Sequence, residues 1–264
     1  MRKNILSDLL ARNSASIGML VIGNFIFANQ AMALIGVDAA IGQKSTKVKY
    51  DTLSQTDKTK TVQGSEYGIG VYIDPIPLVP FAFGLALSGY SYDRSKLDKE
   101  VIDEAIQASG QSAIFDTTIS TKTAGLLYGP SLKVWAPIPY IKPFLKYTYL
   151  MGSEITTLDH DVHTNANASA VASTTSKGTQ TSSESGSEIQ LGIGFSPVKF
   201  ISMFVEYAIY TGKNKTTDQK IESVTTSGGT ATTTSATKDT LTDEDKKRSS
   251  TSASSIRLGL SVGI

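Results

Sequence analysis

The segment Ser255-Ile256-Arg257-Leu258-Gly259-Leu260-Ser261-Val262-Gly263-Ile264 decides the fold. Ile256, Leu258, Leu260, Val262 and Ile264 share one face of an extended chain, and Ser255, Arg257, Gly259, Ser261 and Gly263 share the other. Successive side chains of a strand point to opposite faces, so this is a strand with one apolar face and one small or polar face. The pattern recurs upstream. Ile189, Leu191, Ile193 and Phe195 oppose Glu188, Gln190, Gly192 and Gly194. Ile201, Met203, Val205, Tyr207 and Ile209 oppose Ser202, Phe204, Glu206, Ala208 and Tyr210. Phe81, Phe83, Leu85 and Leu87 oppose Ala82, Gly84, Ala86 and Ser88.

Residues 35–50, 62–73, 118–135 and 142–157 carry the same alternation less cleanly, with Leu127 and Phe144 on the otherwise small or polar face. The count is then eight strands. The links between them alternate in character. Short links hold proline: Asp74-Pro75-Ile76-Pro77 with Pro80, Ala136-Pro137-Ile138-Pro139 with Pro143, and Ser196-Pro197. Proline cannot donate to a ladder and belongs at strand ends and turns; of the eight prolines only Pro130 falls inside an expected strand. The other links, about 51–61, 93–116, 158–187 and 213–254, are long and polar. Strict short–long alternation puts every short turn at one end of the sheet and every long link at the other. A soluble sandwich has no reason to sort its connections this way, whereas a transmembrane barrel does.

The two faces agree. Outside a membrane barrel the wall must be apolar, while the interior can be polar. Asp38, Glu66, Lys133, Lys146, Glu188, Glu206 and Arg257 all fall on the small-residue face, so they are expected to form a charge network in the lumen, because an isolated buried charge is costly. Gly68, Gly70, Gly84, Gly192, Gly194, Gly259 and Gly263 suit a tight, filled interior. Aromatic residues gather at both ends of the strands: Tyr72, Phe81, Trp135, Tyr140, Phe195 and Phe200 by the short links, and Tyr50, Tyr90, Tyr92, Tyr147, Tyr149 and Tyr210 by the long ones. Two interfacial belts are the expectation.

The N-terminal stretch reads as an export signal. Arg2, Lys3 and Arg12 precede an apolar run over residues 17–28, and Ala31-Met32-Ala33 supplies a small-residue cleavage site. Twelve residues interrupted by Asn24 are too few for a membrane helix, which needs about 20. Residues 1–33 are thus assigned as a signal peptide and 34–264 as the barrel. Beyond the signal the chain holds 22 basic and 23 acidic residues and no cysteine. No basic stripe for nucleic acid, disulfide scaffold or thiolate metal site is indicated.

With these features the chain resembles the small bacterial outer-membrane barrels, the OmpA-type, OmpX-type and OmpW-type proteins, over its length after residue 33. Gly192-Ile193-Gly194-Phe195-Ser196-Pro197 followed by Phe204-Val205-Glu206-Tyr207 carries the likeness. No OmpA-like peptidoglycan-binding domain follows the last strand, and Ile264 stands where many members end in an aromatic residue. The resemblance implies an all-β fold: an eight-stranded antiparallel transmembrane up-and-down β-barrel with short periplasmic turns and long polar extracellular loops. It also implies outer-membrane lipid and the barrel-assembly machinery as partners, with extracellular contacts through the loops.

Candidate chemistry is sparse. Asp159-His160-Asp161-Val162-His163 holds both histidines. His160, His163, Asp159 and Asp161 are weak candidates for a divalent metal, or for activating water as in the outer-membrane proteases, but a solvated polar loop is the better reading of them. No nucleophile elbow, zincin motif or phosphate loop is present, and no cofactor is expected. Residues 96–108, with Leu97, Val101, Ala105 and Ile106 at helical spacing, predict a short helix capping a loop. The expected role is structural or surface-exposed rather than enzymatic, because eight strands leave room only for their own side chains. A narrow channel, opened between the inward charges or beside Pro130, and a barrel-mouth enzyme are the alternatives.

Overall fold

The computed structural model describes residues 35–51, 57–74, 79–108, 116–136, 138, 140–166, 170–198, 200–227, 230–236 and 249–263. The proposed signal over 1–33 lies outside them. Nine strands and one helix are described: β1 (Ile35–Asp51), β2 (Asp57–Ile73), β3 (Phe81–Asp93), α1 (Ser95–Ala108), β4 (Asp116–Trp135), β5 (Ile141–Ala166), β6 (Ala170–Val198), β7 (Ile201–Ser227), β8 (Thr230–Ala236) and β9 (Ser249–Gly263). No described helix is long and apolar enough to cross a membrane.

Each strand pairs antiparallel with its neighbours in the order β1 to β7, then β9, and β9 returns to β1 through pairs from Gly36↔Gly263 to Lys47↔Ser252. Eight strands therefore close a ring, and within it no backbone edge is left unpaired. β8 is an addition, paired with the far end of β7 from Ile221↔Ala236 to Ser227↔Thr230.

Ring closure makes the alternation an inside–outside code, and the polarity is inverted relative to a soluble protein. Ile41 is 71% exposed, Leu85 67% and Leu258 64%, whereas Glu66, Glu188, Glu206 and Arg257 are each 2% exposed. An apolar surface continuous around the ring far exceeds the patches a soluble monomer carries, and lipid is the solvent that suits it. The protein is an eight-stranded transmembrane up-and-down barrel.

The long links differ from expectation. Most of 158–187 and 213–227 is not loop but strand: β5, β6 and β7 run for 26, 29 and 27 residues, far past the apolar wall. Ser and Thr are β-branched or small and pair across the ladder, as in Thr174 with Thr225 at 3.2 Å and Ser176 with Ser223 at 2.8 Å. At one shift in register Thr217 is the extra residue, and its hydroxyl donates to the Thr181 carbonyl at 3.1 Å. Proline placement also differs. Pro143 lies within β5 and Pro197 in a bulge of β6, while β6 turns into β7 through Phe200, whose φ of 76° is the left-handed conformation of a tight hairpin. Pro130 interrupts the β4–β5 ladder between Tyr128↔Met151 and Ser131↔Thr148, but the register is the same on both sides.

Candidate functional site

Inward-facing residues of all eight ring strands meet in the lumen. The Arg257 guanidinium on β9 is at its centre. It donates to Glu188 Oε1 of β6 at 2.8 Å and lies 3.9 Å from Glu66 of β2. Its Nε is 2.9 Å from Glu206 Oε1 of β7, off the hydrogen-bond axis. Lys146 of β5 reaches Glu206 at 3.5 Å, Lys44 of β1 reaches Glu66 at 3.6 Å, and Lys133 of β4 donates to Asp38 of β1 at 2.8 Å. Ser88 and Gln190 donate to Glu66 and Glu188. The structure thus places all seven charged residues singled out from the sequence in the lumen, five of them joined through Arg257 and its carboxylates, with Lys133 and Asp38 as a separate pair. A fork of N–H donors shared among three carboxylates suits arginine better than lysine. Each charge has an opposite neighbour, the condition under which buried ions are tolerated.

Sequence reasoning misses Lys44, Glu154 and Glu184. Tyr90 bridges Glu184 and Glu154, donating to one at a time, with 2.9 Å to Glu154 Oε2. Tyr92 and Asn214 donate to Glu154 at 3.1 Å each. The parity that marks Lys146 and Glu188 as inward also marks Glu154 and Glu184; only their assignment near or within a polar link hides them. Lys44 shares the parity of Asp38 in β1.

The lumen is packed with rings lying against glycines. A Cβ at Gly192 would come within 2.2 Å of the Phe144 ring and one at Gly259 within 2.3 Å of the Phe204 ring; those two rings meet edge to face, 5.7 Å apart. Phe144 and Leu127, which break the alternation, are therefore interior packing residues. The expected aromatic belts are corrected in part. Tyr147, Tyr149, Tyr140 and Phe195 face outward, but Tyr72, Tyr90, Tyr92 and Tyr210 are buried in the lumen; the side chain of Tyr50 lies outside the described residues. Beside Arg257 the remaining void is only about 20 Å³, room for about one water. At the short-turn end a larger recess of about 150 Å³ opens, lined by Asp38, Tyr72, Lys133, Trp135, Lys142 and Phe144 among others.

At the opposite end α1 closes the mouth. Leu97 is buried with Tyr90, Tyr92, Leu127, Leu150 and Tyr210, and Val101 packs against them. Asp93 starts the helix by accepting hydrogen bonds from the Ser95 hydroxyl and, at 2.8 Å, from its N–H; these bonds hold its carboxyl below the usual range. Thr121 N–H donates to Ser95 Oγ at 2.9 Å and Lys99 to Thr117 at 2.9 Å, tying the helix to β4.

The histidine cluster is not brought together. These residues lie in β5 rather than in a loop. His160 faces inward, its Nε2 2.8 Å from Thr121 Oγ1. Asp159, Asp161 and His163 face outward, where Asp159 pairs with Lys177 at 3.3 Å and Asp161 with His163 at 3.3 Å. Strand alternation separates residues that look adjacent in sequence. Among the described residues no group of three or more potential ligands could hold a metal.

No protein-family model matches the chain, and no curated protein matches it in sequence. Among solved structures it is similar to neisserial surface protein A, with 9% identity, 87% of this chain and 97% of that chain covered, and a TM-score of 0.36. It is also similar to the attachment invasion locus protein Ail of Yersinia pestis, with 11% identity, 87% and 98% covered, and a TM-score of 0.35. A major outer membrane protein of Thermus thermophilus is similar at 10% identity, with 86% and 99% covered and a TM-score of 0.37. On the evidence of its own ring, apolar wall and charged interior, this chain has the architecture of the small outer-membrane barrels.

Proposed function

We propose that the chain is a bacterial outer-membrane protein whose closed barrel is an anchor and a stand, holding α1 and the polar β5–β8 sheet at the cell surface. In this reading residues 1–33 direct export and are removed after Ala33. The barrel-assembly machinery inserts the rest, and lipid surrounds the apolar wall. The observation that carries it is the filled lumen: the Arg257 network spans the cross-section, with a void of about 20 Å³ beside it. A solute path would have to separate paired buried charges. The uninterrupted register across Pro130 likewise supports a wall without a side opening.

Conductance of the full-length protein in planar bilayers tests this, after a heat-dependent mobility shift has established that it is folded. A folded barrel with no stepwise current is expected. Reproducible unitary steps from the folded protein, altered by Arg257→Lys, would replace the anchor with a channel.

A further inference from the structure

The recess at the short-turn end is larger than the void beside Arg257, and its lining is not that of a plug. Tyr72, Trp135, Phe144, Phe200 and Phe204 supply aromatic walls. Two ammonium groups enter the same space. Lys133 sits 4.8 Å from the centre of the Phe144 ring and is held by Asp38 at 2.8 Å. Lys142 is half-buried, makes no ion pair among the described residues, and has like-charged Lys133 as the neighbour acting on it. A cation partly removed from water without a counter-ion is a standing demand for an anion.

We propose that this recess is a binding site for a small monoanionic carboxylate with a flat, aromatic body, entered from the short-turn side, with Lys142 as the carboxylate's partner. The volume fits: about 150 Å³ is the size of an apolar cavity that takes up benzene. The charge fits a monoanion. Asp38 and Asp74 are both on the lining, so a phosphate or dicarboxylate would meet repulsion that a single carboxylate turned toward Lys142 avoids. The body is held by ring faces and edges and the head by a charge-assisted hydrogen bond. The site is independent of the anchor reading, since a closed barrel and a conducting one would both keep this vestibule.

Trp135 is the sole tryptophan of the chain and lines the recess, so the protein carries its own reporter. The experiment titrates benzoate into the folded full-length protein in non-ionic detergent while Trp135 emission is followed. A saturable change is expected. Lys142→Gln should weaken it roughly 10-fold or more, and Lys142→Arg should retain it. Benzyl alcohol, which keeps the ring and drops the charge, should bind roughly 10-fold more weakly than benzoate. Gly36 lines the recess and a Cβ there meets nothing within 4 Å, so Gly36→Leu fills the site without a backbone clash and should abolish the signal. The heat-dependent mobility shift confirms that each variant is folded. A change that never saturates, or one equal in wild type and Lys142→Gln, overturns the proposal. Displacement of benzoate by inorganic phosphate at equal concentration overturns the ligand class.

Discussion

Residues 201–209 and 217–225 belong to the same strand, β7, and obey different rules. In the first stretch Ile201, Met203, Val205, Tyr207 and Ile209 face outward while Phe204, Glu206 and Ala208 are buried. In the second, polar residues occupy both faces and none is buried. The strand pairing runs on through the change, with Gly212↔Gly186 and Lys213↔Ser185 paired where the alternation fades and one bulge, at Thr217, beyond it. The backbone is therefore indifferent to the solvent it crosses, and side-chain alternation alone records where lipid stops. At about 3.3 Å per residue, residues 170–186 of β6 project on the order of 55 Å along the strand beyond that boundary.

The comparison breaks most severely if the lumen loses its central cation. Arg257→Leu leaves Glu188, Glu206 and Glu66 buried with only Lys44 and Lys146 between them. Removing one partner from a buried set costs about 3–5 kcal/mol. The expected result is a large fall in the urea concentration at which the heat-dependent mobility shift disappears. Lys177→Leu removes a cation from the Asp159 pair in the projecting sheet, where both side chains are more than half exposed. That change should stay within about 1 kcal/mol. Comparable losses in the two variants would mean that the lumen is as hydrated as the projection.

A smaller pair of changes maps the outer surface. Leu258→Arg puts a charge in mid-wall, and a lipid-facing arginine near the bilayer midplane costs about 2–4 kcal/mol. Thr233→Arg makes the same chemical insertion on β8, where the side chain is exposed to water, and should shift stability by no more than about 0.5 kcal/mol. Refolding into vesicles with urea titration measures both. If Leu258→Arg were as mild as Thr233→Arg, the band would not be in lipid.

This division explains which parts are legible in the sequence. Where lipid and a charged interior impose opposite demands, alternation is strong, and Ile256 to Val262 announces both the strand and its orientation. The seven lumen charges are readable because each shares a face with glycine or serine. Above the membrane no such contrast exists. The composition of residues 173–187, rich in Ser and Thr, looks the same whether it forms a ladder or a loop, so a reading by alternation ends β5 to β7 too early. Glu184 is lost with that cut, while Glu154 lies within the expected strand over 142–157, close to its polar end. The histidines group as a loop cluster in the sequence, although a strand sends His160 one way and His163 the other. Phe144 and Leu127 mislead for another reason: a barrel this narrow fills its interior with rings over glycines, so an apolar residue can face inward.

The seam between the two regions gives the smallest and most specific effect. His160 faces α1 from β5, beside Thr121 of β4, with Asp98 and Arg94 at the helix start and Asp159 next to it in the strand. Burial pushes its imidazole pKa down; Asp98 and Asp159 oppose the shift, and Arg94 adds to it. A depressed folded-state pKa means that the folded form takes up the proton less readily than the unfolded form, whose value is about 6.5. The stabilisation is therefore complete above about pH 6.5 and is lost as the pH falls through the folded-state pKa. Because the ring is only half-buried, solvent screening keeps the effect on the order of a few tenths of a kcal/mol. Amide exchange of α1, corrected for intrinsic rates, should show weaker protection at pH 5 than at pH 7.5 in the wild type. His160→Gln keeps a polar side chain facing Thr121 and removes the titration, so its protection should change less between the two pH values. Identical pH dependence in both proteins would leave His160 as packing alone; Asp93, whose carboxyl is held below the usual range by Ser95, stays ionised at both pH values and cannot supply the difference.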